Sequence, residues 1–114
     1  SGEIKESTNY GVLTNQGELE DNSGDDKNGR VEIAVEDVKT GTPVPGLEVE
    51  VYLKKDNETV RGPVELPFLL KPGMSHYGKN IQMPAEEYDL NVKLVNTEKN
   101  EELELTFENV LHNS

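Results

Sequence analysis

The stretch Met74-Ser75-His76 is the one place in this chain where ligand chemistry could arise. It brings one of only two histidines next to a methionine, just after the apolar run Leu66-Pro67-Phe68-Leu69-Leu70. Imidazole, thioether and carboxylate are the donors from which copper and iron sites are assembled. His76 supplies a nitrogen that coordinates when neutral, and Met74 supplies a soft sulfur. Arg30 and Glu32 lie together on the polar face of a predicted strand. A second reading of each residue needs no metal. His76 could bond through its ring nitrogens to backbone or to Glu32, closing a polar cluster with Arg30. Met74 could fill an irregular gap, as methionine does well. His112, two residues before the last position, reads as a solvated tail residue, and Met83 as packing before Pro84.

Other chemistries lack their residues. The chain has no cysteine, which removes thiol catalysis, disulfides and thiolate metal sites. No Gly-x-Ser-x-Gly elbow and no Gly-rich phosphate loop occurs, so no enzyme is expected. Asp21, Ser23, Asp25 and Glu32 match part of a calcium-loop spacing, but Asp26 stands where the sharp turn needs glycine. A net charge of -12 opposes nucleic-acid phosphates and anionic membranes as partners. No segment has the length and apolarity to span a bilayer. Ser1-Gly2 reads either as a mature start left after a leader or anchor is removed or as a remnant of cloning.

The elements that must position these residues are strands. Val31, Ile33 and Val35 alternate with Arg30, Glu32, Ala34 and Glu36. Leu47, Val49, Val51 and Leu53 alternate with Glu48, Glu50, Tyr52 and Lys54. The same period of two runs through Tyr88, Leu90, Val92 and Leu94, and again through Leu103, Leu105 and Phe107. Such patterning marks half-buried antiparallel strands. Turn signals separate the runs at Thr40-Gly41-Thr42-Pro43, Pro45-Gly46, Lys55-Asp56-Asn57-Glu58, Lys71-Pro72-Gly73 and Asn96 to Asn100. Only 32% of the 114 residues are hydrophobic, so the core is thin, as in two packed layers. These patterns predict one all-β domain, an antiparallel immunoglobulin-like sandwich of about seven strands. Residues 1–29 read as an N-terminal edge segment and acidic loop, and 30–114 as the sandwich itself. Tyr88, two residues before the buried position of Leu90, suits a tyrosine corner or a plain core position. Tyr77 is expected to pack beneath its loop, Gly78 to adopt a backbone conformation closed to other residues, and Asn80 to cap a turn.

From about Arg30 to Leu94 the chain resembles the periplasmic iron-transport protein family. The resemblance rests on His76-Tyr77-Gly78-Lys79-Asn80, which looks like the family's His-Tyr-Gly-x-Asn block. Leu66-Pro67-Phe68 is similar to a family Met-Pro-Met stretch, and Tyr88-Asp89-Leu90 closes onto a strand in the same way. The resemblance implies an immunoglobulin-like or cupredoxin-like sandwich in an extracytoplasmic protein (periplasmic, secreted or a cell-surface lipoprotein) that binds a copper or iron ion. It implies a membrane iron permease or other cell-surface protein as partner and allows a homodimer. The family's His-x-Glu pair falls on Arg30 and Glu32, and its methionines on Leu66 and Phe68. The metal set that carries over is thus Glu32 and His76, with Met74 added from this chain alone. The competing expectation is an immunoglobulin-like binding or spacer module with no metal site.

Overall fold

A computed structural model of the protein describes residues 2–7, 9–16, 20–21, 27–82 and 87–110. Ten strands occur there: β1 (Gly2–Glu6), β2 (Tyr10–Gln16), β3 (Glu20–Asp21), β4 (Lys27–Asp37), β5 (Glu48–Lys55), β6 (Glu58–Glu65), β7 (Phe68–Leu69), β8 (His76–Gln82), β9 (Tyr88–Asn96) and β10 (Glu101–Val110). One antiparallel sheet runs β1-β2-β4-β8-β7, with β3 paired to one end of β4, and the other runs β10-β9-β5-β6. Leaving aside the two-residue β3 and β7, each sheet holds four longer strands. The fold is therefore a β-sandwich of eight such strands, where the periodicity predicts about seven.

Two differences from the expected strands have physical causes. Strand β6 carries no alternation because it is exposed along nearly its whole length, with only Val64 turned toward the core. The block from His76 to Asn80, expected as a loop and turn, is the first part of β8. Gly78 and Asn80 pair there with Glu32 and Arg30 of β4, and this pairing overrides the weak strand preference of glycine and asparagine.

The inward residues of the alternating runs meet between the layers. Val12, Ile33, Val49, Val51, Leu53, Val92 and Phe107 are completely shielded from solvent. Burying each aliphatic or aromatic side chain contributes about 1.5–3 kcal/mol, so a dozen such positions suffice for a small core. The segment before residue 30 takes part in it. β2 pairs along its full length with β4, and Tyr10 and Val12 lie in the core.

Local chemistry fixes the turns. Asp56 and Asn57 both have positive φ (52° and 65°) between the paired Lys55 and Glu58. That is the two-residue hairpin geometry asparagine and aspartate tolerate best. Between β9 and β10, Asn96 accepts a hydrogen bond from the Lys99 N–H, and Asn100 takes φ 53°. The β1–β2 and β9–β10 turns lie together at one end of the sandwich. Asn9 Nδ2 donates to Glu101 at 3.0 Å, the Tyr10 hydroxyl donates to the same carboxylate at 2.9 Å, and Asn96 Nδ2 donates to that hydroxyl.

Candidate functional site

Because Val31, Ile33 and Val35 point inward, Arg30 and Glu32 stand on the outer face of the first sheet. On β8 the inward Tyr77 sets His76, Gly78 and Asn80 on that same outer face. Register then does the rest, with Arg30 opposite Asn80 and Glu32 opposite Gly78. Arg30 Nε donates to Glu32 Oε2 at 2.9 Å, and Nη1 donates to Asn80 Oδ1 at 3.2 Å. His76 Nε2 lies 3.2 Å from both Arg30 Nη2 and Glu32 Oε2. Although it sits on the outer face, His76 is only 5% exposed.

Gly78 is what lets these side chains meet. It does not occupy the left-handed region, so the expected backbone role is corrected to a steric one. A Cβ at this position would stand 2.8 Å from His76 Cδ2 and 3.0 Å from Arg30 Nη2. Ring and guanidinium lie across the bare glycine. Asn80 likewise caps no turn; it receives the far end of the guanidinium.

Both nitrogens of the imidazole have partners within the chain. Nδ1 is 3.0 Å from the Met74 carbonyl oxygen, which can only accept, so Nδ1 carries a hydrogen. In the neutral ring the Nε2 lone pair then accepts from Arg30. The Glu32 carboxylate lies beside the same nitrogen. Met74 thus meets His76 through its main-chain carbonyl, while the residue as a whole is 45% exposed.

Of the three expected metal ligands, the structure brings His76 and Glu32 to hydrogen-bond distance and gives Met74 a backbone contact. Among the described residues, no group of three or more His, Asp or Glu side chains could hold an ion. The donor set fits copper or iron poorly. Arg30 engages the same imidazole nitrogen and the same carboxylate oxygen that an ion would need, and its charge opposes a second cation. The partial calcium-loop spacing lies mostly outside the described residues, as do Met83 and His112. Glu32, its last position, belongs to β4.

Tyr77 carries a structural role larger than the sequence suggests. It is 1% exposed, and its ring meets Phe68 with centroids 5.0 Å apart. Its hydroxyl donates to the Val44 carbonyl at 2.7 Å and accepts from the Leu47 N–H at 3.0 Å. Burial pushes the phenol up from its ordinary value, against the lowering effect of the Leu47 hydrogen bond. One side chain of the first sheet thereby pins the connection that carries the chain into the second. Tyr88 is buried at the start of β9, and desolvation pushes its phenol far up.

Comparison with protein-family models, with curated proteins and with solved structures finds no match to this chain.

Proposed function

We propose that this chain is a non-enzymatic binding or spacer module of a cell-surface or secreted protein, in which Arg30, Glu32, His76 and Asn80 form a polar clasp between β4 and β8. The observation that carries this reading is the use of both His76 ring nitrogens by groups of the chain itself. A clasp of this kind needs no ion to balance it. The extracytoplasmic location rests on the resemblance of the His76 to Asn80 block.

A weak metal site is the second reading, and one distance favours it. His76 Nε2 and Glu32 Oε2 are 3.2 Å apart, close enough for both to reach one ion at about 2.0–2.2 Å if Arg30 swings away. Copper separates the two readings. A ligand that binds only the folded state stabilises it by RT ln(1 + [L]/Kd), about 2.7 kcal/mol at a hundredfold excess over Kd. The clasp reading expects Cu(II) and Fe(II) to shift the melting temperature of wild type and His76→Ala equally, through the acidic surface alone. A gain that disappears in His76→Ala, together with metal found by elemental analysis after chelator-free purification, would overturn it in favour of the metal site.

A further inference from the structure

We propose that the free edge of β10 is a docking site for an extended segment of a partner protein in which apolar and basic residues alternate. The proposal rests on reading the chain as a binding module, and adds where its partner sits and what chemistry that partner carries.

The first observation is the state of the sheet edges. β10 ends its sheet, and among the described residues no strand pairs with its outer side. It is ten residues long, about 33 Å of strand, and its register against β9 is unbroken from Glu101 to Phe107. The opposite edge of the same sheet is blunted in the usual ways. β6 contains Pro63, which has no N–H to offer, and its register against β5 is twice irregular. In the other sheet the edge strands are β7, with only two residues, and β1, with five, against the ten of β10.

The second observation is where the backbone of β10 points. The Leu105 carbonyl oxygen lies 3.5 Å from Asn91 Nδ2 on β9, so Leu105 faces its neighbour. Strand geometry alternates, which leaves Glu102, Glu104 and Thr106 turning N–H and C=O groups outward. A strand added there would gain main-chain hydrogen bonds, with specificity left to alternate side chains.

The third observation says what those side chains should be. Leu103 and Leu105 lie on the inner face, partly buried against the core. A cleft of about 270 Å³ opens between the sheets beside Leu103, walled by Leu47 and Leu94 and, at its turn end, by the polar Asn9, Asn96 and Glu101. Inward residues of a docked strand that meet Leu103 and Leu105 should therefore be apolar. On the outer face Glu102, Glu104 and Glu108 are exposed, so outward residues should be cationic. A second copy of this chain does not fit, because β10 against β10 would set these glutamates against one another.

A seven-residue peptide alternating lysine with leucine or valine tests this on the intact chain. The control peptide has the same composition with its lysines and apolar residues in two blocks. Amide NMR should give saturable shifts at Glu102, Glu104 and Thr106 with the alternating peptide. Hydrogen exchange at these amides should slow at least tenfold, and the block peptide should bind at least tenfold more weakly. Thr106→Pro removes one outward donor and should cost tenfold or more in affinity. The double variant Glu102→Gln/Glu104→Gln leaves the backbone intact and should weaken binding in the same direction. Equal binding of both peptides would reduce the effect to bulk charge attraction and overturn the proposal. So would shifts confined to other strands, no binding at all, or self-association through β10 in sedimentation. None of these outcomes bears on the copper comparison, so the two readings fail separately.

Discussion

At the residue scale the clasp turns on an absence of atoms. Gly78→Ala should destabilise the fold by about 1–3 kcal/mol, the usual cost of forcing a methyl into filled space. It should also displace the His76 ring, which histidine NMR would report; an unchanged ring and melting temperature would refute the packing argument. His76 was recognisable because histidine is rare here and stands beside methionine. Glu32 and Arg30 followed from the positions of the family's His-x-Glu pair, with strand parity placing both on one face. Asn80 was not recognisable as their partner, because register across β4 and β8 cannot be read from either strand alone. The role of Gly78 is hidden for a related reason: in sequence, a glycine required for side-chain space looks like one required for φ. Tyr88 supplies the pH prediction. Burial favours its neutral phenol, so the folded state holds this proton more tightly than the unfolded state does. Its stabilising effect is complete below the ordinary value of 10.0 and is lost as pH rises above it. Tyr88→Phe should therefore show a shallower fall in melting temperature between pH 10 and 12 than wild type; parallel curves would count against this.

At the element scale the apolar alternation carried most of the fold. Strands β4, β5, β9 and β10 each keep one face inside, so period two was enough to find them and to assign their faces. β6 leaves no such signal because an exposed edge strand buries almost nothing, and β8 because its block of Gly, Lys and Asn lacks strand composition. Substitution reads the assigned phase directly. Leu90→Ala, at a buried β9 position, should cost about 2–5 kcal/mol. Glu48→Ala, on the exposed face of β5, should stay within about 0.5 kcal/mol. Comparable losses in chemical denaturation would show one of these strands to be out of phase.

At the scale of the whole molecule, acidity dominates. Across the outer face of the second sheet, Glu104 and Glu50 flank Lys93, and Glu65 follows on β6. The ammonium of Lys93 lies 3.3 Å from Glu102, and that hydrogen bond, with the charge of the same carboxylate, pushes its pKa up. One cation thus breaks a row of like charges. Lys93→Gln should lower the melting temperature at low ionic strength, and 0.5 M salt should recover most of the loss, since about 4–5 Å of screening length remains there. A deficit that ignores salt would mean that Lys93 acts through packing.

The meeting of the β1–β2 and β9–β10 turns at one end has a mechanical consequence. The free ends of β1 and β10 then both lie toward the other end, each in the edge strand of a different sheet. Tension that draws them apart pulls across the hydrogen bonds, so the pairs open one after another from Gly2 and from Val110. Strands loaded this way peel at low force, leaving the β4–β8 and β5–β9 pairings for last. Stretched in a single-molecule trap through β1 and β10, the module should lengthen in small early steps before the core gives way. One abrupt high-force rupture would mean that the load runs along the strands instead.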